Sequence, residues 1–362
     1  MLFGQNTFQA TLTVSVTLVL AFVVTGFAST AYHRERTKLA AAHFARGQAL
    51  EIHGELEPAL EEYRKALLFS PDKTEYRLSL ATALLEAGRL DEAQSHLEQL
   101  AQEDPTSGQI NLLLGRLAVQ QHKLKQAVDH YQRGVYEYWP ESEFPQRRQA
   151  RWELAALLSK TGDRTGFIAE LMQLYANLPM QDVAQKLKVG YLLLANGATS
   201  EASRIFQELV RQAPQNAEAR RGLGEVYFNY GDYVSARHEF QRALRLNPSD
   251  QETIQALNLA NDVIDMDPAL PYITGFEQVR RSRNLLSRVI KDIEECNQGS
   301  GAAAQRLQNA RDLLSKQVKG DDPAYAMQTA AAQVWAERNT VCGNAVPQDR
   351  ALDTVLTRIG HE

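Results

Sequence analysis

The apolar residues of this chain fall into three regimes. Residues 12–31 (LTVSVTLVLAFVVTGFASTA) are apolar or small throughout, and residues 1–32 contain no Asp, Glu, Lys or Arg. As a helix, this stretch is about 30 Å long, which matches the hydrocarbon core of a bilayer. From residue 40 to residue 265 the apolar positions recur at helical spacing, with a longer period laid over it. From residue 276 onward amphipathic helices are predicted at 276–295, 302–318 and 323–342, with a short one at 350–359.

The longer period is clearest over residues 183–250. Two consecutive lines of 34 residues share Gly at position 8, a large residue at 11, Gly at 15, Ala at 20, Phe at 24 and Pro at 32. In the second line these are Gly224, Tyr227, Gly231, Ala236, Phe240 and Pro248. Each line reads as a helix, a turn and a second helix. Gly at 15 takes the left-handed conformation that ends the first helix, and Pro at 32 cannot continue the second. Small residues at 8 and 20 suit close helix crossings, and the large residue at 24 fills the groove between hairpins. One such hairpin cannot bury its apolar face alone, so hairpins must stack.

This pattern resembles the tetratricopeptide repeat family, whose period is 34 residues. Extended outward, the register places repeats at 40–73, 74–107, 108–140, 148–181, 183–216 and 217–250, with an insertion at 141–147. Residues 251–265 read as the solvating helix that caps such an array. The expected fold is therefore all-α. It has a tail at 1–11, a transmembrane helix at 12–31, a superhelical repeat array at 40–265, a linker at 266–275 and a helical bundle at 276–362.

The resemblance implies a concave groove lined by positions 2, 5, 9 and 12 of each first helix, with packing inside their own repeats as the alternative for Leu78, Leu112 and Leu187. Position 5 carries Phe44, Leu78, Leu112, Trp152, Leu187 and Arg221, and position 9 includes Gln48, Arg116, Tyr191 and Glu225. Family members that clamp the C-termini of heat-shock chaperones carry Lys at 5 and Asn at 9, and no repeat here has that pair. The expected ligand is an apolar or helical segment, with Trp152 and Tyr191 as anchors. The aromatic segment 136–148, which includes Trp139 and Phe144, reads as filler for the gap in the repeat spacing.

Composition narrows the partners. The net charge of −5 argues against nucleic acid. The two cysteines, Cys296 and Cys342, rule out a four-cysteine zinc site. They close the first and third bundle helices, so a disulfide between them is allowed if those helices run parallel. Thr13, Thr17, Ala21, Thr25 and Ser29 form a stripe of small residues along the apolar helix, a surface suited to packing against another membrane helix. No phosphate loop, GxSxG elbow or HExxH occurs, and no cofactor, metal or catalytic residue is expected.

These readings lead to a single-pass membrane adaptor or scaffold that binds a protein partner, including an integral membrane protein, through its groove. The alternative is a permanent accessory subunit of a larger membrane complex, energetic, secretory or envelope-assembling. Arg34, Arg36, Lys38 and Arg46 follow the apolar helix, which favours the cytoplasmic side for the repeats. A Cys296–Cys342 bond would favour the periplasmic side.

Overall fold

A computed structural model describes residues 3–296, 302–315, 322–342 and 350–359, with the side chains of 3–16, 19, 296, 302–303 and 338–341 outside that description. Contacts divide the chain into two compact units, Met1–Asn177 and Leu178–Glu362. The first contains the hairpins α1 (Phe3–Ile52) with α2 (Leu56–Phe69), α3 (Thr74–Glu86) with α4 (Leu90–Glu103), α5 (Gly108–Gln120) with α6 (Leu124–Tyr136), and α7 (Phe144–Thr161) with α8 (Arg164–Asn177). The second contains α9 (Val183–Ala195) with α10 (Thr199–Gln212) and α11 (Ala217–Asn229) with α12 (Tyr233–Leu246). It continues with α13 (Gln251–Met266), α14 (Gly275–Cys296), α15 (Ala302–Ser315), α16 (Pro323–Val341) and α17 (Arg350–Ile359). The boundary between units falls inside the expected array.

Three positions of the period account for the hairpins. At position 24, Tyr63, Leu97, Tyr131, Leu171, Phe206 and Phe240 are all buried, each contributing about 2–3 kcal/mol of apolar transfer. Position 8 answers them. A β-carbon on Gly47, Gly190 or Gly224 would come within 2.7 Å of the ring at position 24, and one on Gly115 would come within 3.0 Å. Where position 8 is Ala81 or Ala155, the partner is the smaller Leu97 or Leu171. Close packing thus makes the two positions share one volume. At position 15, Gly54, Gly88, Gly162, Gly197 and Gly231 all have φ between 69° and 81°. The third repeat places His122 there, at φ 59°.

A fourth element of the period is polar. Arg77, Asn111 and Arg220, each at position 4, donate to the carbonyl of the preceding position-32 proline: Pro71 at 2.7 Å, Pro105 at 3.1 Å and Pro214 at 2.8 Å. The proline ends one helix, and its carbonyl is satisfied by the next hairpin. Arg151 follows the insertion and pairs instead with Glu170 at 2.7 Å, both side chains buried. The insertion is short. Glu141–Glu143 form one 3₁₀ turn, and α7 already starts at Phe144. Trp139 is buried with its Nε1 donating to the Gly134 carbonyl. Its ring occupies the space a β-carbon on Gly108 would need. Phe144 stays 42% exposed and fills nothing.

The C-terminal part corrects two expectations. The expected linker is packed: Met266, Asp267 and Leu270 are buried. The cap helix α13 is not solvated on its outer face. Its inner side meets Ala236 and Phe240 through Ala260 and Ala256. Val263, Ile264 and Met266 join one core with Leu285, Leu286 and Val289 of α14, Met327 of α16 and Val355 and Leu356 of α17. The apolar residues of α13 cover two faces, so the helix joins the last repeat to the bundle.

The apolar N-terminal stretch is not a separate helix, because α1 runs unbroken from Phe3 to Ile52 into the first repeat. Among the described residues, no helix is long and apolar enough to cross a membrane. Thr13 and its side chain lie outside the described side chains. The hydroxyl of Thr25 donates to the Ala21 carbonyl of its own helix at 2.8 Å, while Thr17, Ala21 and Ser29 are exposed.

Candidate functional site

The period decides which residues face inward, and the depth of packing decides which of them a ligand can reach. In the first unit, Phe44 and Leu112 are buried. Phe44 stacks on Tyr76 with ring centroids 4.4 Å apart. Leu78 is half-buried against the core of the first hairpins. Gln48 is exposed and Trp152 is half-buried. Arg116 makes a bidentate pair with Glu153, at 2.9 and 2.7 Å, and the Tyr131 hydroxyl donates to the same carboxylate at 2.8 Å. Burial pushes the Glu153 carboxyl up, but the hydrogen bonds from Arg116 and Tyr131 outweigh it and leave the group below the ordinary range. Arg116 is thus committed to holding α5 against α7.

In the second unit, Leu187 is buried. Tyr191 is a support rather than a free anchor. Its hydroxyl donates to the Glu218 carbonyl at 2.9 Å and accepts from Arg221 at 3.0 Å, and its ring meets Phe206 edge-on with centroids 5.0 Å apart. The Arg221 guanidinium lies 5.0 Å from the Tyr191 ring centroid. It also pairs with Glu252 and lies 3.8 Å from both Asp250 and Glu225. Burial raises the Glu225 carboxyl, against the pull of Arg221.

Beside this network lies a cavity of about 460 Å³, lined by Phe228, Phe240, Ala256 and Leu259 with Glu225, Glu252, Gln255 and Arg350 at its polar parts. It is the type of site that takes a ligand: an apolar floor with a few charged groups that fix orientation. Phe228 is position 12 of the last repeat, and Gln255 and Leu259 fall at positions 5 and 9 when the period is continued into α13. Those positions were readable, but the expected groove residues stopped at the last full repeat. Arg350 carried no sequence signal, since α17 reaches α13 only through the shared core. A larger cleft of about 620 Å³ lies among α4, α5 and α6, walled by Gln94, Glu98, Gln121, Asp129, His130 and Arg133. Its polar lining on the second-helix side suits water better than an apolar segment.

Cys342 is disulfide-bonded, while the side chain of Cys296 lies outside the described residues. Among the described residues, no group of three or more His, Cys, Asp or Glu is placed to hold a metal ion.

The Tetratricopeptide repeat family model matches residues 84–138 and 193–269. The human Protein O-mannosyl-transferase TMTC3 is 23% identical over 229 residues, covering 61% of this chain and 24% of that protein. The mouse Superkiller complex protein 3 is 44% identical over 55 residues, covering 15% of this chain and 4% of that protein. The chain therefore spans a quarter or less of the length of these relatives. The solved structure of PilF from Pseudomonas aeruginosa aligns with a TM-score of 0.41 and 16% identity, over 61% of this chain and 97% of that one.

Proposed function

Because the chain carries tetratricopeptide repeats, we propose that it is an interaction scaffold whose second unit holds a segment of a partner protein against α11 and α13, and whose α1 anchors it in a lipid bilayer. The cavity floored by Phe228, Ala256 and Leu259 carries the first half of this reading. It takes an apolar side chain, and the carboxylates of Glu225 and Glu252 favour a basic residue beside it. A basic partner stabilises the charged form of Glu225, whose carboxyl is raised by burial. Binding of such a segment therefore strengthens as pH rises through the upper carboxylate range. Trp152 and the exposed Gln48 of the first unit are secondary contacts in this reading.

The anchor rests on the apolar run at 12–31 and on what surrounds it. Leu18, Leu20, Phe22, Val24 and Phe27 are all exposed, and helical steps of about 100° place them on two opposite sides of the helix. Large exposed apolar side chains on opposite sides of one helix need an apolar solvent. An integral membrane protein is a natural neighbour for such a helix, with the small-residue stripe as the packing surface. A disulfide at Cys342 favours the oxidising side for the repeats, against the cytoplasmic side favoured by the basic flank.

Photo-crosslinking in native membranes tests the scaffold reading, with benzoylphenylalanine at Gln255 and, as control, at Gln126 in the polar cleft. One discrete adduct at Gln255 that disappears in a Leu259→Ser background is expected. Equal labelling at both positions would contradict it. Alkylation of the chain before and after reduction reports the state of the cysteines, and a pair of free thiols in the cell would return the repeats to the cytoplasmic side.

A further inference from the structure

We propose that the last turn of α2 and the loop after it form a membrane-contact surface that rests on anionic phospholipid headgroups. This rests on the anchoring reading of α1 and adds which surface of the first unit touches the bilayer. The observation is the absence of any break between the apolar run and the first repeat: α1 is one helix from Phe3 to Ile52. A single helix transmits position rigidly, at about 1.5 Å per residue. If the hydrocarbon ends near Ala31, Arg36 lies about 7 Å beyond it, within the headgroup layer.

At that level α1 meets α2. Arg36 donates through Nη2 to the carbonyl of Leu68, in the last turn of α2, at 3.1 Å. Two turns further along, His43 stacks on Phe69 with centroids 5.6 Å apart. These contacts hold the end of α2 at the depth of Arg36. The Leu68 side chain is 72% exposed there, although α2 buries Ala59, Leu60, Tyr63 and Ala66. Tyr32, also exposed, lies one turn nearer the hydrocarbon with Arg36 over its ring at 5.7 Å, and interfacial tyrosines suit this depth. Charge complements the same surface. Arg34, Arg36 and Lys38 on α1 and Lys73 after α2 outnumber Glu35 and Asp72, and Glu35 is paired with Lys38 at 2.9 Å. Basic residues near an anionic surface are attracted to it. An apolar wedge at Leu68 flanked by basic side chains therefore fits a headgroup layer and would be unprotected in water.

The test uses the full chain with Leu68→Trp, reconstituted into vesicles of phosphatidylcholine with phosphatidylglycerol, in which some acyl chains are brominated close to the headgroup. Leu68 is exposed, so the substitution leaves the core intact. Emission added by the new tryptophan, relative to the unmodified chain, should fall by about half in brominated vesicles, as expected for a side chain at the headgroup–acyl boundary. Replacing Arg34 and Lys38 by Gln should reduce that quenching. A chain that floats with the vesicles but shows no added quenching overturns the contact surface and leaves the anchor standing. A chain that does not float overturns the anchor and the surface together.

Discussion

A β-carbon on Gly224 would lie 2.5 Å from Cε1 of Phe240. This pair is one instance of the volume shared by positions 8 and 24. Gly224→Ala gains about 1 kcal/mol of helix propensity but forces the ring to move, at a cost of about 1–3 kcal/mol. The second repeat already contains the solution, Ala81 with Leu97. Gly224→Ala combined with Phe240→Leu should therefore be less destabilised than the two single variants summed, by at least about 0.5 kcal/mol in urea denaturation. Strict additivity would show that the two positions do not share a volume.

His122 takes the place that glycine holds in the other repeats, with φ 59°. A non-glycine residue in the left-handed region costs about 1–2 kcal/mol, and the His122 side chain is exposed. His122→Gly should raise stability by about 1 kcal/mol, read as a higher urea midpoint at unchanged slope. A lower midpoint would mean that the imidazole makes a contact worth more than the strain.

Much of the array was legible because its markers are local. Glycine at 15, proline at 32 and the aromatic at 24 act through backbone conformation and hairpin volume, and these depend on residues close in sequence. Reach was not legible. Leu112 and Leu187 stand at groove positions yet are buried, because the period sets the direction of a side chain but not how deeply its neighbours cover it. Tyr191 stands at a groove position, yet its hydroxyl is held between Glu218 and Arg221. Arg350 reaches the cavity from more than 80 residues beyond α13 in a path no period marks, and the packing of 266–270 depends on the same distant partner helices.

The carboxylate of Asp267 has no exposed surface and lies 2.8 Å from Nη1 of Arg358. Arg358 also donates to the Ala269 carbonyl at 2.7 Å. These contacts fix α17 to the segment after α13. Arg358→Met would remove this ion pair from a buried carboxylate and should cost about 3–5 kcal/mol. Replacing both residues by leucine should recover most of that loss. A single variant that melts like the unmodified chain would show that α17 is held by its apolar face alone.

Glu62 accepts from Lys65 at 2.7 Å and lies 2.8 Å from Nδ1 of His43. The Lys65 hydrogen bond first, and His43 second, lower its carboxyl from 4.5 to about 2. A carboxyl depressed by folding stabilises the fold above its unfolded value, and that contribution is lost as pH falls from about 4.5 towards 2. Glu62→Gln should therefore be less stable than the unmodified chain at pH 7, and the gap should close in melts taken near pH 2. A gap of constant size would show that Glu62 acts through packing rather than charge.

The cavity beside α13 is the centre of the functional account, and the most direct measurement is affinity. Peptides selected from a displayed library on the full chain in detergent should share an apolar residue next to a basic one. Calorimetric titration of such a peptide should show Leu259→Ser weakening Kd by about tenfold, equivalent to about 1.4 kcal/mol, with helix content unchanged, while Gln94→Ser in the polar cleft leaves Kd unaltered. Equal affinity for the unmodified chain and the Leu259→Ser variant would contradict the account.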